Sequence, residues 1–198
     1  MRKRSLQEFL DTTPAEIDIE VLRDAFGSAL DALQDQHARA EERVRRKWGL
    51  APDARPPVFF DTETGENVEW PVQDEIENLK HYLAAAMEEL RIAAIVAVFH
   101  AFERINNQFR GTEDYKHKPA MAKLREMGRE PDDEALRVLH LFANAAKHGK
   151  GRSMTALESV RPDLAHRHQV VATPATLDYF FDAVLASLHK RQRVRDSP

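Results

Sequence analysis

From Val72 to Phe109 the chain holds a helical apolar period: Ile76, Leu79, Leu83, Ala86, Leu90, Ala93, Ala97, Ala101, Ile105 and Phe109 fall close to one face. Ile92 to Phe99 is apolar nearly all round, which places the middle of this helix centrally in the fold. A second long stripe precedes it. Leu22, Phe26, Ala29, Leu33, His37, Ala40, Val44 and Trp48 recur at spacings of three and four, which predicts a helix from about Pro14 or Ala15 to Trp48. Thr12 or Thr13 is its expected cap, Pro14 suits the first turn, and Gly49 marks the stop. This stripe packs against another helix, with His37 as a core-edge histidine.

Between the two helices, residues 51–71 break the pattern. Pro52, Pro56 and Pro57 lead into Val58-Phe59-Phe60, a Gly65-bearing turn, and Val68-Glu69-Trp70, the pattern of a small hairpin or ordered loop. We expect this acidic insertion to act as an arm, usable in self-association. Its acids lack the ligand spacing of a calcium loop. After Gly111–Pro119, shorter helices are expected over about Ala120–Met127, Glu134–His148 (capped by Asp132 or Asp133 and stopped at Gly149) and Ser153–Ser159 (capped by Ser153). Pro162 interrupts the chain, and Thr173-Pro174 opens a last helix through about Lys190, offering Leu177, Phe180, Phe181, Val184, Leu185 and Leu188 to the core. The expected fold is all-α: an up-down helical bundle with two long helices and a short loop or β-hairpin insertion. Residues 1–198 read as a single helical-bundle domain.

The 198 residues include no cysteine, so disulfides, thiolate nucleophiles, iron–sulfur sites and cysteine zinc knuckles are excluded. No membrane-length apolar run and no signal-peptide core follow the opening Met1-Arg2-Lys3-Arg4-Ser5, so a cytoplasmic protein with no membrane partner is expected. No glycine-rich phosphate loop, paired Glu-x-x-His motif or zinc-ligand spacing occurs, and the expectation is no cofactor and no metal.

The net charge of -4 (29 Lys plus Arg, 33 Asp plus Glu) conceals an asymmetry. Residues 51–80 carry eight acids against Arg55 and Lys80, whereas residues 137–170 carry Arg137, Lys147, Lys150, Arg152, Arg161 and Arg167 against Glu158 and Asp163. One part of the fold is therefore suited to phosphate and another is not. The bases do not alternate with aromatic residues as a stacking platform would require, which argues against general duplex binding, and Lys190, Arg191, Arg193 and Arg195 form a short basic tail.

The chemistry concentrates in residues 137–151. Arg137, His140, Asn144 and His148 are three, four and four residues apart and share one helix face, with Leu136, Leu139, Ala143 and Ala146 supplying the apolar side. Lys147, Lys150 and Arg152 surround the end of this row as candidate RNA-binding residues, and Gly149 and Gly151 permit close approach of a phosphate. The long helix offers a comparable row, His100, Glu103 and Asn107. If the rows face each other, Glu103 pairs with Arg137 or orients His148 for proton transfer. The alternative is a polar network that fixes helix register.

Asn144-Ala145-Ala146-Lys147-His148, set in a long-helix bundle, resembles the HEPN superfamily of helical domains from bacterial toxin–antitoxin, phage-defence and RNA-processing systems. RNA-cutting members carry an Arg, commonly followed by Asn, Asp or His, and then a His after three further residues. Asn144 and His148 match the second and last positions, Ala143 occupies the Arg position, and Arg137 is the candidate replacement. The resemblance spans about residues 72–190 and implies a metal-independent endoribonuclease, with His148 assisting attack by a ribose 2′-hydroxyl across a symmetric homodimer. It further implies RNA and an antitoxin or other protein partner. The competing expectation is a non-catalytic interaction or scaffold protein that oligomerises or binds a protein partner.

Overall fold

The computed structural model describes residues 14–55, 58–69 and 72–189. The expected caps Thr12 and Thr13, the residues Pro56, Pro57 and Trp70, and the basic tail from Lys190 lie outside the described residues. The fold is a bundle of several helices with a short antiparallel β-hairpin insertion. Its order is α1 (Pro14–Ala38), α2 (Ala40–Lys47), β1 (Val58–Phe60), β2 (Asn67–Glu69), α3 (Val72–Arg110), α4 (His117–Glu126), α5 (Asp133–His148), α6 (Arg152–Val160), a 3-10 turn (Pro162–Leu164), β3 (Ala165–His166), β4 (Gln169–Val170) and α7 (Pro174–Leu188). The chain divides into two compact units, one formed by the residues up to Gly27 with those from Leu90 onward, the other by Ser28–Glu89. No helix among the described residues is long and apolar enough to cross a membrane.

In the Ser28–Glu89 unit, the helix expected to run unbroken to Trp48 turns at Arg39 (φ -94°, ψ 7°). Arg39 N–H still donates to Asp35 O and Arg43 N–H to Arg39 O, so the interruption is one residue deep. Beyond it, Ala40 and Val44 are buried, and Val44 packs with Val72 and Ile76 beneath Leu50 and Leu79. Ala29, expected in the stripe, is exposed. Trp48 is 38 % exposed, and its indole N–H donates to Glu75 Oε2 at 2.7 Å, which suits an aromatic with one polar edge. The insertion forms the hairpin β1–β2, paired Val58 with Glu69, Phe59 with Val68 and Phe60 with Asn67. In its turn the Asp61 carboxylate accepts from Glu63 N–H at 2.8 Å, and Gly65 takes the left-handed φ of 73° that the reversal requires.

In the other unit, α3 presents Ile95, Val98, Phe99, Phe102 and Ile105 to the core, whereas Ala93 is exposed. The expected stripe was thus out of phase in this stretch. Where residues 92–99 are apolar on every side, periodicity cannot choose the inner face, and the bulky side chains take it. Also buried are Met121 and Leu124 of α4, Leu136, Leu139 and Phe142 of α5, Met154 and Leu157 of α6, and Phe180, Phe181, Val184 and Leu188 of α7. Arg23 ties α1 to α7, donating to Asp178 at 3.1 Å and Asp182 at 2.8 Å with its guanidinium over the Phe181 ring. The Arg161 guanidinium grips Asp163 with two hydrogen bonds and so braces the 3-10 turn after α6. The β3–β4 hairpin was not foreseen. Its turn residues are Arg167 and His168, at φ 50° and 62°, rather than the asparagine and glycine that normally announce such a turn.

Candidate functional site

Helix α5 exists because Asp132 caps it, its carboxylate accepting from Ala135 N–H at 3.0 Å, and because Gly149 ends it at φ 62°. Seven apolar residues between Ala135 and Ala145 are buried, which leaves one face outward. On that face Arg137, Lys147 and His148 are exposed and Asn144 is half-buried. Lys150 and Arg152, at the turn into α6, are exposed as well. Among the described residues none of these six side chains forms a hydrogen bond or ion pair. The row is therefore not a register-fixing polar network. Arg137 and His148 lie three turns apart, about 16 Å of helix rise, and reach different points along any bound strand. Ala143 is fully buried, so the position where the resemblance places a catalytic Arg faces the core of this unit.

The fourth member of the row, His140, sits differently. Its ring stacks on Phe99 (centroids 5.2 Å apart, planes 10° apart) and meets the ring of Tyr115 edge-on at 5.5 Å. Tyr115 is held in turn by a chain of hydrogen bonds. Its hydroxyl lies 3.1 Å from His117 Nδ1, His117 Nε2 lies 2.6 Å from Asp133 Oδ1, and Arg125 donates to Asp133 Oδ2 at 2.8 Å. Because a carboxylate can only accept, the contact at Nε2 is a hydrogen bond donated by His117 to Asp133. This chain connects the segment before α4 and both ends of α4 with the start of α5.

Glu103 faces this cluster from α3, but its hydrogen bond goes to His100 Nδ1, at 3.0 Å, one helical turn away. It does not pair with Arg137 or with His148, as the facing-rows reading required, because the intrahelical partner is nearer. Its charge acts instead on His140 and Tyr115. His100, Glu103 and Asn107 line an open groove of about 770 Å³ that ends at Gly111–Glu113. Asn107 Nδ2 donates to the Glu113 carbonyl at 3.0 Å, which fixes the groove's end.

These surroundings separate the protonation behaviour of neighbouring groups. Burial lowers the pKa of His140 from the usual histidine value, the positive charges of His117 and Lys147 act in the same direction, and Glu103 opposes them. Burial raises the phenol of Tyr115 far above its ordinary range, with Glu103 and Asp133 adding to the rise. The hydrogen bond from Arg125 holds Asp133 below the usual carboxylate range. The cluster thus sets a histidine that favours its neutral form beside a tyrosine that keeps its proton.

Sequence reasoning identified the outer row but not this cluster. Tyr115, His117 and Asp133 sit in segments without helical periodicity or at helix starts, and only His140 carried a signal, its place on the polar face. The chain matches no family model, no curated protein and no solved structure.

Proposed function

We propose that this protein is an HEPN-like, RNA-directed protein that acts as a metal-independent endoribonuclease in a bacterial toxin or defence system. The observation that carries this reading is the row Arg137, Asn144, Lys147 and His148, continued by Lys150 and Arg152, whose side chains are outward and have no internal partner. Cations kept free of carboxylates at an accessible helix end are suited to a phosphate backbone, because binding releases the backbone's counterions without first breaking ion pairs. In this reading the cations track the strand, Asn144 and His148 contact it where α5 ends, and a symmetric homodimer lays two such rows along one RNA.

The scaffold reading keeps one specific support, the burial of Ala143 at the motif's Arg position. The deciding experiment is RNA cleavage by the purified protein in excess EDTA beside a folded His148→Ala variant. Cleavage by the parent that leaves 2′,3′-cyclic phosphate ends, and is lost in the variant, supports the enzyme. Reproducible absence of cleavage on structured and unstructured RNAs moves the assignment to a binding or assembly protein.

A further inference from the structure

His140 is the one member of the α5 row that the fold grips from two sides, and its nitrogens remain free. The flat face of Phe99 and the edge of Tyr115 fix the plane of the imidazole. Tyr115 is itself fixed through His117, Asp133 and Arg125. A histidine that merely filled this half-buried position would gain by satisfying a nitrogen internally. Among the described residues His140 makes no hydrogen bond, and neither ring nitrogen is a sealed, unpartnered atom, so both reach water. A ring locked in orientation with its nitrogens left open is the arrangement a proton acceptor needs, since the entropy of aiming it is already lost on folding.

We propose that His140 is the general base of an RNA-cleaving site on the outer face of α5. This rests on the RNA-directed reading above and moves the proton-accepting role from the helix end to its half-buried centre. Lys147 lies two turns further along α5, about 10 Å of helix rise away, and supplies a cation for the backbone of the same strand. In the reaction, His140 takes the proton of the attacking ribose 2′-hydroxyl. A bond forms from O2′ to phosphorus as the bond from phosphorus to O5′ breaks, O5′ takes a proton from water, and the resulting hydroxide returns the imidazolium to neutral. The products are a 2′,3′-cyclic phosphate and a 5′-hydroxyl.

The groups acting on His140 come from every element around it: Glu103 from α3, Tyr115 from the connection before α4, His117 from α4, and Lys147 from α5 itself. Their net effect, together with burial, favours the neutral base, so the acid limb of the pH–rate profile should lie on the acidic side of an ordinary histidine.

The test is single-turnover cleavage of a defined RNA oligonucleotide in EDTA across pH, by the full chain and by His140→Gln with its fold checked by circular dichroism. The ring carbons of the parent's histidines are titrated by NMR alongside. The expected result is a loss of about 100-fold or more in His140→Gln with the acid limb flattened, and a parent acid limb that coincides with the titration of His140. Parent-like cleavage by the folded variant, or a loss that leaves the acid limb in place, overturns the assignment and leaves the RNA reading standing. If His140→Gln does not fold, the parent titration decides, and an acid limb that tracks another histidine overturns the assignment. No cleavage by the parent removes the RNA-cleaving reading and this base with it.

Discussion

At the scale of single residues, the environment of His140 has a consequence for stability that is independent of any catalysis. Burial, His117 and Lys147 all lower its pKa below the usual 6.5, so the folded chain favours the neutral ring. As pH falls through 6.5 the unfolded chain gains a proton that the folded chain resists. The contribution of neutral His140 is therefore fully present above that value and is lost as pH falls below it. Asp133 acts in the same direction in a lower window. Its pKa is depressed from 3.8 by Arg125 and His117, so its contribution is present above 3.8 and is lost as pH falls through the folded value. The Asp133 contribution is complete above 3.8, so a measurement made above that pH reads His140 without it. The urea midpoint of the parent should fall between about pH 7.5 and about pH 5.5, and His140→Gln should remove part of that fall. Equal falls in both proteins would sink this account of the site. Nothing in the sequence announced the effect. The polar face of α5 was legible from the spacing of Arg137, His140, Asn144 and His148, but the half-burial of one member depends on Phe99 and Tyr115, which arrive from elsewhere in the chain.

At the scale of elements, the ends of the helices are where local sequence held most closely. Thr173 accepts from Thr176 N–H at 3.1 Å and Pro174 follows in the first turn, as the Thr-Pro pair predicts for α7. Asp132 does the same for α5. Ser153 fails as a cap, because α6 starts at Arg152 from Gly151 with no side-chain cap. The cap position falls at Gly151, two residues before Ser153. Thr173→Ala and Asp132→Ala should each cost about 1 kcal/mol in chemical denaturation, and Ser153→Ala should cost no more than about 0.5 kcal/mol. Equal losses at all three positions would show that α6 is capped in a way the hydrogen bonds do not reveal. Boundaries of this kind were readable because a cap and its helix lie in one stretch of chain. The inward face of α3 was not, because it is chosen by neighbours distant in sequence, and neither was the β3–β4 hairpin, because its turn places the exposed Arg167 and His168 in a left-handed backbone conformation that such residues seldom adopt.

At the scale of the whole molecule, the charge asymmetry visible in composition divides between the two units. The acids of residues 51–80 belong to the Ser28–Glu89 unit, and the bases of residues 137–152 belong to the other. The overall charge of -4 opposes RNA at long range, so binding has to be local and carried by few cations. The free ones on the α5 row and the following turn are Arg137, Lys147, Lys150 and Arg152; by contrast Arg161 is committed to Asp163. For a single strand held by four such contacts, the logarithm of the association constant should fall with the logarithm of salt concentration at a slope of about -3. Replacing Lys147 or Lys150 with Ala should reduce that slope by about 0.7 each and weaken binding to all sequences alike, since phosphate contacts carry no base identity. Fluorescence anisotropy with a labelled single-stranded RNA over a salt series reads both quantities. Arg161→Ala serves as the internal comparison, because a guanidinium already gripping a carboxylate releases few counterions when RNA binds. A parent slope near zero, or an Arg161→Ala effect equal to that of Lys147→Ala, would mean that the unpaired cations of α5 do not form the binding face, and the row would then have to be explained by a protein partner with acidic groups at the same spacing.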